Sequence, residues 1–523
     1  MGLPQPVVKS CGNVFTLYHR TQSMRRPRAT ERNHVTLARQ ELRALSSAST
    51  SRAELPVRIL QIGAGNFLRA FADLMVHQAN EAGVLRHGIA VMKVTPRPEP
   101  VTGRLAEQDG LFHVVLDDGS VARTTLVTAV REVVSAYQDW DRCRALIRGE
   151  DLRLVVSNTT EAGIAFVAGD DLTAAPPASF PAKMTALLYE RWRHFGGDPA
   201  RALSFLPCEL TEDNGTTLRS MVLRHAGDAG LEGEFRRWVA EDCRFYDTIV
   251  DRIVPGLPEH EAEEIRQTLG YDDRLIVRGE AYGHWAIAGD PAIRDEFPLD
   301  RAGLPVEFLT DIRPYREKKV RVLNGAHTAL AAVGPLLGCR TVLEAIGHPL
   351  AGAYARRLLD TEVLPSLPGD PAELRLFAGA ILARFGNPVL RHRLSDIALN
   401  ATDKWRTRNL PVVLDAWAAG RAAPLSLVAL ACLLAGYAGV LGDLPVRDDP
   451  AVLARVRDSF TAHDPQGWLT DLFPALGWAG ILGAPGVTRL AAETAVPLRA
   501  LLGGDPVGAL TGLLTNAPGL DEE

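Results

Sequence analysis

Three polar side chains share one mostly apolar stretch, KKVRVLNGAH at residues 318–327: Lys319, Asn324 and His327. Read as a helix at about 100° per residue, Lys319 points the same way as Leu323, Ala326 and Leu330, with His327 about 80° and Asn324 about 140° away. Asn324 and His327 are then neighbours at i, i+3. A lysine on an apolar face loses hydration, and its pKa falls toward neutrality. Such a lysine can take a proton from an alcohol and return it to a ketone, acting as a general acid/base. Asn324 is suited to donate to a developing alkoxide or carbonyl oxygen, and His327 to orient the substrate or the lysine. Gly325 weakens the helix, as glycine does where a ligand comes close. In the plain alternative Lys319 snorkels to solvent, Asn324-Gly325 is a loop and His327 is a satisfied core histidine. Spacing alone leans slightly toward that alternative.

A second group sits near the start. QIGAGNFLRAF places Gly63 and Gly65 directly after a β-branched run, Val57 to Ile62. Phe67, Phe71, Leu74 and Met75 then recur at helical spacing. Gly63 permits a tight turn, and Gly65 lets the backbone approach a pyrophosphate held at the helix N-terminus. The usual third glycine is missing; Leu68 stands there. Two glycines alone are a weak signal, and their place at the head of a repeated β/α region is what makes dinucleotide binding the expectation. After the next strand candidate, GIAVMKVT, an acid normally meets the adenosine ribose. Here Lys93, Thr95 and Arg97 follow. Arg97 suits a 2′-phosphate, or else this is a solvated basic loop, so NAD and NADP both stay open on these residues.

The elements that must position these groups change character along the chain. FHVVLDD, TTLVTAV, LRLVVSNTTE and ALSFLPCEL read as further strands, with YQDWDRCRALI and PAKMTALLYERWRHF as helices among them. Strands alternating with helices predict a mostly parallel α/β sheet. After about residue 305 the strand signals fade into long Ala/Leu-rich helical stretches, and no internal repeat is present. The expected architecture is an extension over residues 1–53, a Rossmann-like doubly wound domain over 54–304 and a mainly α-helical domain over 305–523. The cleft between the two domains is the natural substrate site.

Composition narrows the function classes. The net charge of −6 gives no reason to expect nucleic acid. Cys11, Cys143, Cys208, Cys243, Cys339 and Cys432 are scattered singly, so neither a disulfide framework nor a structural zinc site is expected. A reducing, cytoplasmic setting fits that pattern. Residues 1–53 lack the apolar core of a signal peptide and carry arginines, as in MRRPRATERN. They read as a poorly ordered extension, with a nucleic-acid or lipid-binding arm, or an over-long start before Met24, as the alternatives. AAPLSLVALACLLAGYAGVLG, residues 422–442, is uncharged and near the length of a membrane span. It stands alone and opens with Pro424, so a buried helix is the better reading and no membrane partner is expected.

Lys319, Asn324 and His327 also form a pattern, KxxxxNxxH, that resembles the signature of the long-chain polyol dehydrogenases, the family of mannitol dehydrogenase and the hexuronate reductases. The resemblance spans about residues 55–500. It implies a zinc-independent, NAD(P)-dependent oxidoreductase in which Lys319 is the acid/base and Asn324 and His327 serve the reacting oxygen. It also implies cofactor contacts from Gly63, Gly65, Asn66 and Phe67, and from Asn158 and Thr159 in SNTTEAGI. IVDRIVP is similar to a family segment near the substrate and points to Asp251; ARFGNP likewise points to Arg384 and Asn387.

The chain departs from the mannitol-oxidising pattern at GNFLRAF and at PCELTEDNG, where Glu209-Leu210 replaces an Asp-Asn pair and puts a two-asparagine oxyanion site in doubt. These departures, with FPAKMTALLYERW, EKKVRVLNGAHTAL and SDIALNATDKWRTRNLP, resemble the tagaturonate reductase (altronate oxidoreductase) branch. That branch is usually NAD-linked, which turns the cofactor expectation to NAD. The implied reaction interconverts D-tagaturonate and D-altronate. Its alternatives are the same chemistry on fructuronate, mannitol or another sugar acid, and a non-catalytic nucleotide-binding regulator. A uronate carboxylate calls for a fixed cation. Arg384, Arg391, Lys404, Arg406 and Arg408 are the candidates, with Lys404 and Arg408 favoured because Trp405 should bury part of their segment.

Overall fold

The computed structural model describes residues 42–48, 52–97, 99–159, 163–390, 392–442, 444 and 447–515. Its centre is the strand Val57–Ile62 (β1), whose β-branched run is buried along its second half. β1 pairs with Gly88–Lys93 (β2) on one side and with Leu154–Ser157 (β6) on the other. Val130–Ser135 (β5) lies outside β2, and Ser204–Pro207 (β7) and Arg244–Phe245 (β8) lie beyond β6. The order β5-β2-β1-β6-β7-β8 is parallel throughout. The chain thus winds outward twice from the centre, as expected. The reversal leaves a crevice at the C-terminal ends of β1 and β6, where open α/β sheets bind ligands.

FHVVLDD and TTLVTAV do not join this sheet. Phe112–Asp117 (β3) and Ala122–Val127 (β4) form an antiparallel hairpin. The Asp118 side chain accepts from the Ser120 and Val121 amides and closes a turn far too short for a parallel crossover. Val277–Glu280 (β10) completes this second sheet beside β3. A third sheet combines Asp247–Asp251 (β9), His284–Ala288 (β11) and Val306–Leu309 (β12). β12 lies past residue 304 because it pairs with β11, and the helical part begins at Arg313.

The helical part is built around Pro424–Tyr437, the segment of near-membrane length. Every residue from Leu425 to Tyr437 is buried in the core. The helix starts against the Glu362 carboxylate, which accepts from the Leu425 and Ser426 amides at 2.6 and 2.9 Å. Among the described residues, no helix is long and apolar enough to cross a membrane. Cys143, Cys208, Cys243, Cys339 and Cys432 are buried free thiols; Cys11 lies outside the described residues.

Residues 1–41 of the expected extension also lie outside them, but residues that follow are docked. Arg43 exchanges backbone hydrogen bonds with Gly270 and Asp272, Leu45 is buried, and Ser47 and Arg52 hydrogen-bond Asp109. The polar composition of LSSASTSRAE hid these anchors, which belong to partners distant in sequence.

Candidate active site

One helical run carries the lysine motif. It is α-helical over Arg313–Lys319, π-helical over Val320–Gly325 and α-helical again over Ala326–Val333. A π turn holds one more residue than an α turn, so the 100° wheel does not run unbroken from Lys319 to Asn324. At the end of this turn the Gly325 carbonyl accepts from the Asn409 side chain at 3.2 Å. A Cβ on Gly325 would stand 3.5 Å from the Asn409 side chain, just past the end of the helix Ala401–Arg408.

Lys319 is buried, with 8% of its surface exposed. Its Nζ donates to the Val250 carbonyl at 2.7 Å and stands 4.0 Å from Asp251 Oδ1, both on β9. Burial pushes its pKa below the ordinary 10.5; Asp251 opposes the shift, and Arg384 and Arg408 add to it. Lys318, expected in solvent, is half-buried instead. Its ammonium sits 5.3 Å from the Tyr315 ring centre and 4.9 Å from that of Phe377, where aromatic faces attract cations.

Asp251 is held from behind. Arg384 Nη1 and Nη2 donate to its two oxygens at 2.8 and 3.0 Å, and Arg384 Nε and Nη2 donate to Glu280 on β10 at 3.0 and 2.7 Å. All three side chains are buried. Burial pushes the Asp251 carboxyl up, but Lys319 and Arg384 outweigh it and hold its pKa below the usual range. For Glu280 burial wins, and the carboxyl is raised. Burial lowers the Arg384 pKa, but its two carboxylates raise it further, so it stays charged.

In front of Lys319 lies a pocket of about 290 Å³ between the two halves of the chain. The loop after β7 contributes Glu209 and Leu210, β9 contributes Thr248 to Val250, and the helical half contributes Arg316, Lys319, Asn324 and Arg408. Lys319, half-buried Asn324 and Arg408 thus converge on one space. Arg408 Nη1 also donates to Thr328 Oγ1 at 3.1 Å. His327 lies behind this surface. Its ring stacks on Phe385 at 4.1 Å and meets His392 edge-on at 5.1 Å. Burial, with His392 next, drives its pKa far down, so it is a neutral imidazole.

Asn387 and Lys404 do not line the pocket. Asn387 Nδ2 donates to the Asp117 carbonyl at 3.1 Å and joins the helical half to the β3–β4 hairpin. Lys404 Nζ donates to the Ile397 carbonyl at 2.9 Å, and Arg406 pairs with Asp403. Trp405 is fully buried, as its segment's composition suggested. Arg391 lies outside the described residues.

The glycine turn lies at the crevice. Gly63 has φ +103°, and a Cβ there would stand 3.0 Å from the Asn158 carbonyl, so β1 and β6 leave no room for a side chain. A Cβ on Gly65 would meet nothing within 4 Å. The backbone is therefore open to an approaching group where the helical run from Asn66 begins. Asn66 is exposed and accepts from Arg69 Nη2 at 2.6 Å, while half-buried Phe67 stacks on Phe71 at 4.9 Å. Asn158 donates its amide to the Ile62 carbonyl at 3.1 Å. The Thr159 amide and hydroxyl both donate to Glu209 Oε1 at 2.9 Å. Arg97 is exposed, and Lys93 Nζ donates to the Arg97 carbonyl at 2.5 Å.

Glu209, Glu280 and Arg316 belong to this arrangement without having been singled out as site residues. For Glu280 the signal was an acid inside a strand-forming run, VRGE. For Glu209 it was the departure in PCELTEDNG, which reads as a loss until Glu209 is found lining the pocket.

Comparison with known proteins identifies the family of the chain. The family described as "Mannitol dehydrogenase Rossmann domain" matches residues 57–300, and "Mannitol dehydrogenase C-terminal domain" matches residues 311–460. An altronate oxidoreductase of Bacillus subtilis is 40% identical over 416 residues, 79% of this chain and 85% of that protein. The altronate oxidoreductase of Escherichia coli K12 is 38% identical over 419 residues, 79% of this chain and 86% of that protein. Among solved structures, mannitol 2-dehydrogenase of Pseudomonas fluorescens, in a ternary complex with NAD and D-mannitol, aligns with TM-score 0.69 at 22% identity. That alignment covers 91% of this chain and 97% of the other. A D-sorbitol dehydrogenase in substrate-free form aligns with TM-score 0.75 at 22% identity, over 87% of this chain and 95% of the other, and these two share its fold. The chain belongs to the mannitol dehydrogenase family.

Proposed function

We propose that this chain is a NAD-dependent oxidoreductase that interconverts D-altronate and D-tagaturonate, with Lys319 as the general acid/base. The observation that carries the chemistry is a buried lysine of lowered pKa facing a pocket beside an asparagine. The altronate oxidoreductases, to which this chain is 38–40% identical over 79% of its length, support the substrate.

Gly63, Gly65, Asn66 and Phe67 would hold the cofactor together with Asn158 and Thr159, since Gly65 leaves open the place a side chain would fill. NAD, when bound, accepts or supplies the hydride at the alcohol carbon. In the oxidising direction neutral Lys319 Nζ takes the hydroxyl proton, and Asn324 Nδ2 donates to the oxygen as charge builds on it. In the reducing direction protonated Lys319 returns that proton. Asp251 favours the charged lysine and so opposes the lowering that burial imposes. Arg408 supplies a cation for the substrate carboxylate. His327 acts from behind, by packing the helix that carries Asn324.

A panel of tagaturonate, fructuronate, fructose and other ketoses with NADH and NADPH tests the proposal. The expected result is NADH oxidation fastest with tagaturonate. NADH binding without turnover of any ketouronate would overturn it.

A further inference from the structure

The two walls of the Lys319 pocket carry opposite charge. The Rossmann half presents Glu209 and Glu212, and the helical half presents Lys319, Arg316 and Arg408. Glu212 is a solvated rim residue, its side chain 83% exposed. Arg316 already pairs with Asp213 at 2.7 Å.

Glu209 is unlike either, being 4% exposed. Its Oε1 accepts from the Thr159 amide and hydroxyl, both at 2.9 Å, and its Oε2 from Ser157 Oγ at 3.0 Å. A carboxylate offers about four acceptor positions, two on each oxygen. Among the described residues two donors reach Oε1 and one reaches Oε2, which leaves an acceptor position on Oε2 of a residue that lines the pocket. A fixed carboxylate of this kind repels an oxyanion or the carboxylate of a sugar acid. A hydroxyl suits it, because an O–H can donate to it in a partly desolvated place.

We propose that Glu209 is a specificity-determining residue: it accepts a hydrogen bond from one substrate hydroxyl and thereby turns the substrate carboxylate toward Arg408 on the opposite wall. This rests on the sugar-acid reading above and deepens it, since it makes the pocket polar from end to end. Ser157 and Thr159 hold the carboxylate in place at the end of β6.

Wild type and Glu209→Gln, each assayed with tagaturonate and its mono-deoxy analogues, test this. For the parent substrate Glu209→Gln should lower kcat/KM by about tenfold or more, the usual weight of a hydrogen bond to a charged group. For the one analogue that lacks the hydroxyl read by Glu209, wild type should already show that loss, and the variant should add nothing to it. The NADH dissociation constant, followed by fluorescence, should stay unchanged. Equal losses by the variant on parent and all analogues, or no loss on any, would overturn the proposal. So would a wild type that handles every analogue like the parent, a result that does not depend on the variant folding. No turnover of the parent by wild type would overturn the sugar-acid reading as well.

Discussion

Arg384 grips Asp251 through two parallel hydrogen bonds of 2.8 and 3.0 Å, and the same guanidinium reaches Glu280. An arginine beside the Lys319 pocket invites the role of carboxylate reader, yet every nitrogen of this one already donates to the protein's own carboxylates. Arg384 fixes Asp251, and Asp251 stands 4.0 Å from the Lys319 ammonium. Arg384→Ala strands two buried carboxylates and should cost about 3–5 kcal/mol of stability in urea denaturation. Arg384→Lys should recover only part, because an ammonium cannot grip two carboxylates with a planar fork.

Removing the Asp251 charge should move the pH profile in a set direction. Asp251 raises the Lys319 pKa, so Asp251→Asn lowers it further below 10.5. Oxidation needs neutral Lys319 and rises with pH until that pKa is passed; in the variant the rise should come at lower pH. Reduction needs the charged form and falls as pH rises; in the variant the fall should begin earlier. Profiles of kcat/KM against pH in both directions check the sign.

Asp73 carries a second pH dependence, this one in stability. It is fully buried in the first helical run after the glycine turn, beside the Gln61 side chain. Burial raises its pKa from 3.8 to about 7, with Arg69 opposing. The folded protein therefore holds a proton that the unfolded chain has released, and stability falls as pH rises through that window. Asp73→Asn should stabilise the protein at pH 8 by ~2–4 kcal/mol and change little at pH 4. Urea midpoints at the two values measure it.

The two glycines should separate fold from binding. Gly63→Ala forces a side chain into φ +103° against the Asn158 carbonyl and should lower the melting temperature. A Cβ at Gly65 meets no protein atom within 4 Å, so in Gly65→Ala melting should hold while the NADH dissociation constant rises about tenfold or more. Calorimetry and fluorescence titration read the two effects.

What the sequence made legible was local. Gly63 and Gly65 after a β-branched run, and a lysine among leucines, are patterns within a dozen residues, and both mark places where the chain turns or loses water. Partners far along the chain were not legible. Arg384 meets Asp251 across 133 residues and Glu280 across 104, and nothing near ARFGNP announces either. FHVVLDD reads as a strand but cannot say which sheet it joins; the Asp118 turn decided that. The helical wheel put Lys319 on the buried side correctly and Lys318 in solvent wrongly. Rings at Tyr315 and Phe377 hold the second lysine, and the π turn beyond Lys319 breaks the single period that the wheel assumes.

The central claim is that the Lys319 amine moves the proton, and Lys319→Ala tests it most directly. The account predicts a kcat about 10²–10⁴-fold lower in both directions, with the NADH dissociation constant unchanged. Turnover within a few-fold of the parent, with folding intact, would contradict it.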